Sequence, residues 1–389
     1  MKVLMTADTL GGVWTYALEL ASALSAHDVQ IALATLGGPL TPQQQRDVEK
    51  LSDVEVFESS YKLEWMDDSW DDVARSGQWL LDLERQLRPD IIHLNGYFHG
   101  ALDWAGPVMI VAHSCVVSWW RAVKGEPPPS SWDHYRNSVR QGLRCADVVV
   151  APTRAMLQTL FENYGPLPRT QVIANGCDPA HFRADVPKEN CILTAGRLGD
   201  EAKNIAALEH VAPRLEWPVC VAGERTRPGD GAAAPRRLMC LGKLSAAAMR
   251  SWYAKAAIYA HPARYESFGL APLEAALSRC ALVLGDIPSL REVWGDAAIF
   301  VNPDHHHKLS NQLRRLIADP LLRQAMADRA YRRALEYAPQ QFAEQYMAAY
   351  RYLLARHVAT APRESLSQDF SMVPQLADVQ PAAGQSLVG

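Results

Sequence analysis

The sequence predicts an α/β protein of two doubly wound parallel-sheet domains in series, and three observations carry that prediction. Its 389 residues exceed one domain of about 150 residues and suit two. Short apolar segments alternate with amphipathic ones along most of the chain, the order of a parallel sheet covered by helices. Segments such as Val148-Val149-Val150-Ala151 show no polar alternation, as strands buried on both faces require.

The elements follow in order. Lys2–Thr6 is a short apolar strand, Gly11-Gly12 a turn, and residues 13–25 a helix with Ala17, Leu18, Ala21 and Leu24 at helical spacing. Strands are expected at 29–35, 54–57, 90–94, 108–113 and 146–151, with helices at about 71–87 and 132–144. A Pro- and Asp-containing stretch at 178–189 separates this half from a second series. The strands of that series are expected at 192–195, 219–222, 238–241, 257–260, 281–284 and 298–301. A last helix over 340–356 carries Phe342, Tyr346, Tyr350, Leu353 and Leu354 on one face. The remainder is Ser, Gln, Pro, Ala and Gly without periodicity, the composition of a disordered tail.

Composition narrows the function classes. With 48% hydrophobic and 21% charged residues the chain can build a substantial core, which excludes wholesale disorder. Its 39 basic and 43 acidic side chains leave a formal charge of −4, so no fold-wide basic surface for nucleic acid is expected. The seven cysteines are scattered and never form C-x-x-C, which argues against a disulfide framework and a structural zinc site and points to a reducing compartment. Asp8 interrupts the N-terminal segment before a signal-peptide apolar region could form, and no run of 18 apolar residues exists. A cytoplasmic protein is expected; peripheral contact with the inner face of a membrane stays open.

In doubly wound sheets ligands bind at the carboxyl ends of the strands, and the polar candidates gather there. Gly11-Gly12 follow the first strand, where the backbone could approach a phosphate. Arg197 ends the first strand of the second half and Lys203 lies six residues on, a spacing that suits a diphosphate. His261 to Ala276 is the densest stretch: Glu266 on a loop, Gly269-Leu270 at a helix start, Glu274 in the helix. Free N–H groups there could hold a phosphate and a carboxylate could take sugar hydroxyls. On spacing alone, a plain turn, solvated charges and a capped helix explain the same residues.

Glu266-Ser-Phe-Gly-Leu-Ala-Pro-Leu-Glu274 resembles the E-x7-E signature of retaining GT-B glycosyltransferases, specifically the large family 4 (group 1). Gly196-Arg197-Leu198 with Lys203-Asn204 resembles that family's G-R-L…K-[GN] element. Ala146 to Thr153 is similar to its A-D-x-V-x-x-x-S/T strand, and Val172 to Asp178 to its interdomain I-P-N-G-V-D segment. The resemblance spans residues 2 to about 355 in the right order.

The resemblance implies a GT-B fold: an N-terminal Rossmann-like acceptor domain (1–183), a C-terminal Rossmann-like donor domain (184–338), a helix crossing back to the first (339–357), and a tail (358–389). It implies a nucleotide-diphospho-sugar donor, base unknown, with no further cofactor, and a glycan, lipid-linked or small-molecule acceptor. Arg197 and Lys203 would pair with the diphosphate, aided by backbone N–H groups at Gly269-Leu270 and Gly11-Gly12. Glu274 would hold the ribose and Glu266 the transferred sugar, with Ser267 and Phe268 in the same donor loop. His113, at a strand end, matches the family's histidine near the donor sugar. His99 could reach the acceptor but is read as structural.

No metal is expected: no D-x-D stands in a matching place, and His305-His306-His307 reads as solvated or capping. Trp65, Trp70, Trp79 and Trp119-Trp120 read as core or lid, and the arginines at 314–333 as a solvated helical face. Two departures stand out: Ser278-Arg279-Cys280 where the family has a small glycine, and His261-Pro262-Ala263 where it commonly has Pro-Ser. An epimerase or phosphorylase on the same fold, or a silent nucleotide-sugar binder, are the alternatives.

Overall fold

The computed structural model describes residues 1–223 and 237–359. The first sheet contains β1 (Lys2–Asp8), β2 (Gln30–Leu36), β3 (Val54–Phe57), β4 (Ile91–Leu94), β5 (Val108–Val111), β6 (Val148–Ala151) and β7 (Thr170–Val172). All pairs are parallel, in the order β3-β2-β1-β4-β5-β6-β7. The second sheet contains β8 (Glu189–Ala195), β9 (Val219–Ala222), β10 (Met239–Gly242), β11 (Ala256–His261), β12 (Ala281–Gly285) and β13 (Ile299–Val301). It too is parallel, in the order β10-β9-β8-β11-β12-β13. The central strands are buried along most of their length, which is why their sequences do not alternate. Strand order reverses between β1 and β4 and again between β8 and β11, leaving a crevice at each reversal.

Helices α1 (Gly12–Ser25), α2 (Pro42–Val48), α3 (Trp70–Leu87), α4 (Val116–Lys124), α5 (Asp133–Cys145) and α6 (Arg154–Tyr164) belong to the first half. The second carries α7 (Ile205–Val211), α8 (Ala246–Lys255), α9 (Leu270–Leu277), α10 (Pro288–Trp294), α11 (His306–Ala318) and α12 (Pro320–Ala334). Helix α2 gives no periodic signal because its sequence is polar and buries only Val48. It is set instead by Pro42 at its start and a reciprocal Thr41–Gln44 capping box.

The last helix, α13 (Pro339–Ala359), returns to the first sheet. Phe342, Tyr346, Tyr350 and Leu353 join the core beneath α1, and full burial of each such side chain contributes roughly 1.5–3 kcal/mol. The buried hydroxyls are paired: Tyr16 Oη donates to Tyr346 Oη (2.6 Å), and His93 lies 2.6 Å from Tyr350 Oη and 3.3 Å from Tyr16 Oη. Burial holds the His93 ring neutral, its pKa pushed down to about 3. Gly176, in the interdomain segment, is where α13 passes: a Cβ there would lie 2.7 Å from Phe342 Cβ, so only glycine fits.

The arginines of α11 and α12 are not uniformly solvated. Arg323 lies over the Trp217 ring and donates to the carbonyls of Leu316 and Ile317 at the end of α11. Arg333 donates to Val293 O at 2.7 Å. Each covers a helix end, a use of arginine that a charge pattern does not reveal. Among the described residues no helix is long and apolar enough to cross a membrane. Residues 360–389 of the expected tail lie outside the described residues.

Candidate active site

The carboxyl ends of the two sheets face one cleft of about 600 Å³, lined from both halves. The residues expected to hold the donor or carry the chemistry all border it: Gly11, Gly12, His113, Arg197, Lys203, Glu266, Ser267, Phe268, Gly269, Leu270 and Glu274.

The C-terminal wall is built from the ends of β8 and β11. Lys203 Nζ donates to Glu266 Oε2 at 2.8 Å, and His261 Nε2 lies 3.2 Å from the same oxygen. Ser267 N–H reaches Glu266 Oε1 at 3.2 Å, and Ser289 Oγ fixes the Glu266 carbonyl. Burial alone would raise the Glu266 pKa, but the Lys203 ammonium and the His261 hydrogen bond outweigh it and hold the carboxyl well below its usual range. For Lys203 burial likewise acts against the charge, and Glu266 with Asp200 carries its pKa above the ordinary value. Arg197 is more exposed, 3.9 Å from Asp200.

The backbone under Lys203 explains the K-[GN] pattern. Asn204 adopts left-handed φ +54°, which asparagine tolerates, and its side chain donates to Pro262 O and Pro303 O, both at 2.9 Å. Within Ser278-Arg279-Cys280, where the resemblance leads one to expect a small glycine, Arg279 adopts φ +59°, and the arginine is held there by Asp328 and the Tyr331 ring. The left-handed turn is thus made here without glycine.

Helix α9 begins at Gly269 (φ +93°) with no side-chain cap and no acidic residue in its first turn, so its leading N–H groups are not taken up by side chains. Phe268 turns its side chain into the core against Tyr337, so only its backbone serves the loop. Glu274 accepts from Tyr253; burial, opposed by that bond and aided by Glu19, pushes its pKa up to about 7.

The N-terminal wall opposes this. Helix α1 starts at Gly11-Gly12, again without a side-chain cap, and a Cβ on Gly12 would sit 4.0 Å from Leu270 Cδ1. Two uncapped helix starts thus face each other across the cleft. His113 Nε2 lies 2.7 Å from Asn95 Oδ1. Asn95 is itself fixed, its Nδ2 donating to Thr6 O (2.6 Å) and its N–H to Thr6 Oγ1 (2.8 Å). The amide orientation makes Oδ1 the acceptor, so His113 carries its proton on Nε2. Burial pushes the His113 pKa down to about 3, so the ring is neutral. The His113 loop touches the Glu266 loop, with Cys115 N–H donating to Tyr265 Oη at 3.1 Å.

Asp8 and Glu64 also border the cleft, and neither was legible as a site residue. Burial, then the charge of Glu64, pushes the Asp8 pKa up to about 8. Burial pushes Glu64 up to about 7 despite its hydrogen bonds from Phe98 and Tyr97 N–H. A lone acid at a strand end or in a loop gives no pattern; the nearest signal was the position of Asp8 at the end of the first strand. Asn95 gave no signal either, and His261, though inside the densest stretch and among the departures, was given no role.

Of the other candidates, His99, Trp65 and Trp119 also line the cleft, and the rest pack outside it. His99 is buried, 2.9 Å from Ser76 Oγ, and its pKa is pushed down to about 4 by burial. Trp119 is buried, Trp70 and Trp79 pack partly buried against the first half's core, and Trp65 borders the cleft. His305 precedes α11, and His306 packs on His210. Thr153 caps α6 and donates across the halves to Ser267 O at 3.0 Å, which accounts for the S/T at that position.

Two parallel Rossmann-like sheets facing a cleft, with a terminal helix crossing back, define a GT-B protein. The sequence matches glycosyltransferase family 4 over residues 10–181 and glycosyl transferases group 1 over residues 180–333. The chain belongs to this family, the group 1 glycosyltransferases.

It is 31% identical over 189 residues to a lipopolysaccharide core biosynthesis mannosyltransferase of Rhizobium leguminosarum bv. viciae, covering 41% of this chain and 53% of that protein. The match therefore spans about half the length of that relative. Sucrose-phosphate synthase from Thermosynechococcus elongatus has a similar structure, with TM-score 0.77 at 16% identity over 92% of this chain and 100% of that one. Anabaena HepE in complex with UDP-glucose follows, with TM-score 0.70 at 17% identity over 90% and 100%.

Proposed function

We propose that the protein is a retaining hexosyltransferase that moves a sugar from a nucleotide-diphospho-sugar to a hydroxyl-bearing acceptor, a glycan, lipid-linked sugar or small metabolite. The observation that carries this reading is the Lys203–Glu266–His261 cluster beside two uncapped helix starts that face each other across the cleft. Such a site suits a diphosphate next to a sugar. Cations and N–H dipoles take the phosphates, and an ionised carboxylate takes sugar hydroxyls. The solved HepE complex with UDP-glucose supports a nucleotide-sugar donor on this fold.

In the proposed reaction the anomeric C–O bond breaks and the electron pair leaves with the nucleoside diphosphate. Arg197, Lys203 and the α1 and α9 N–H groups stabilise the charge that develops on it. The acceptor hydroxyl attacks from the face the leaving group vacates, and its proton passes to the departing phosphate oxygen, so configuration is retained and no protein base is consumed. Glu266 holds the transferred sugar, Glu274 the ribose, and neutral His113 a hydroxyl of the transferred sugar. Asp8 and Glu64, on the wall opposite Lys203, receive the acceptor hydroxyls. Catalysis rests on positioning and preset charge, which protein cations supply without a divalent ion.

A thermal-shift screen against nucleoside diphosphates, followed by transfer assays with the matching sugar donors, tests the reading. One diphosphate should raise the melting temperature, and Lys203→Ala and Glu274→Ala should abolish transfer with the fold intact. Full turnover in both variants refutes the assignment. Loss of transfer in EDTA, restored by a divalent ion, refutes the metal-free part, and donor turnover without an acceptor product refutes transfer. Binding without turnover would favour a silent binder.

A further inference from the structure

We propose that His261 is a positioning residue for Glu266: a neutral imidazole that donates Nε2–H to Glu266 Oε2 and so frees Lys203 to serve the donor diphosphate. The inference rests on the reading above that Glu266 and Lys203 face the donor.

Glu266 has two oxygens and three donors. Oε1 takes the weakly bound Ser267 N–H, while Oε2 takes both Lys203 at 2.8 Å and His261 at 3.2 Å. Lys203 has a flexible stem, a partly exposed side chain and three N–H donors, so it can turn toward a phosphate. A carboxylate this buried would then lose its main partner at the moment the sugar must be held. His261 cannot turn away. It closes β11, is 1% exposed, and lies at 27° to the Tyr259 ring with centroids 6.3 Å apart.

The protonation state follows from the surroundings. His261 Nδ1 is buried with no hydrogen-bond partner among the described residues. A proton on Nδ1 would strand a buried donor and aim the Nε2 lone pair at the Glu266 carboxylate. A doubly protonated ring would strand the same donor beside the Lys203 ammonium. The remaining form carries one proton, on Nε2. The charged groups facing the ring are Glu266, Lys203 and Asp200, and burial is the largest influence keeping it neutral. His261 transfers no proton in this role. It fixes which carboxylate oxygen is tied down and leaves Oε1 toward the sugar.

The test uses the full chain and three readouts. In wild type, long-range proton–nitrogen NMR of the ring should show a neutral Nε2–H form at pH 7; an Nδ1–H or cationic ring overturns the inference whatever the turnover. His261→Phe should lower kcat roughly 10- to 100-fold, the loss of one hydrogen bond to a charged group. Donor KM and the nucleotide-induced thermal shift should stay within about threefold and a degree or two of wild type. His261→Gln, which retains an N–H, should recover most of kcat. The acidic limb of the rate profile should move up in His261→Phe, because Glu266 protonates more readily without its donor. An unchanged limb with equal losses in kcat and nucleotide binding would mean packing alone and overturn the inference. If His261→Phe does not fold, His261→Gln and the wild-type spectrum decide. If wild type turns over no nucleotide sugar, the functional reading fails while the spectrum still judges the hydrogen bond.

Discussion

Replacing Lys203 by methionine keeps the side chain's length and removes its charge, leaving Glu266 with only His261 and Ser267 as donors. At 2.8 Å and an effective dielectric of about 20, the Coulomb attraction is about 6 kcal/mol before desolvation. The side chains are only 27% and 14% exposed, so much of that offsets the cost of removing two charges from water. A coupling of about 2 kcal/mol should survive in a double-mutant cycle with Glu266→Gln. Lys203→Met should therefore melt about 4–8 °C below wild type at pH 7. The double variant, free of a buried unpaired charge, should recover part of that loss without recovering turnover.

The pH sign follows from Glu266, whose pKa is lowered in the fold. Its contribution is present above the unfolded value near 4.5 and is lost as pH falls through the depressed value. The gap between wild type and Lys203→Met should therefore shrink in acid as the Glu266 contribution is lost, while the lysine's own raised pKa adds no change below about 10.5. Thermal melts of the four proteins at pH 7 and at successively lower pH below 4.5 make the measurement. Additive melting shifts, or a gap that widens in acid, would refute the ion-pair argument.

Glu274, pushed up to about 7 by burial, should ionise as pH rises from 6 to 8, so donor KM should fall over that range and Glu274→Gln should flatten the curve. Asp8→Asn should stabilise the fold at pH 8.5 and do little below pH 4. Stability lent by a raised carboxyl is full below its unfolded value of 3.8 and lost as pH rises through about 8. The gain should be roughly 1–2 kcal/mol in thermal melts, with acceptor KM rising at the same time. Glu292→Ala removes the carboxylate on α10 that accepts Arg154 and Ala155 N–H (2.8 and 3.0 Å) at the start of α6. It should cost about 1 kcal/mol in melts and speed proteolysis between the halves.

Much of the architecture was legible because the central strands are apolar on both faces and the helices between them are amphipathic. Helix α2 was not, since its seven residues include only one buried apolar side chain, Val48, and only a capping box marks it. The face of α13 could be read from Phe342, Tyr346 and Tyr350, but not the buried hydroxyl pairs it makes with Tyr16 and His93, which depend on register across the sheet. Strand-end placement brought attention to Arg197, Lys203 and Glu266. Asp8, Glu64, Asn95 and His261 escaped because each acquires meaning only from neighbours distant in sequence or from a turn of the chain. Arg279 stood out only as a departure in side-chain type, because its left-handed backbone conformation leaves no mark in the sequence.

The return of α13 makes the second sheet an insertion within the first half's chain. Tyr16 and Tyr346 share a hydrogen bond across 330 positions of sequence, so the first half cannot complete its core until the second has been made and has come to rest beside it. Two chain crossings, at Gly176 and at the entry to α13, also tether the second half from one side. The halves also meet beside the cleft, where Thr153 donates to Ser267 O and Cys115 N–H to Tyr265 Oη. A chain cut before α13 would expose the apolar underside of α1 and should aggregate rather than fold as a shorter enzyme.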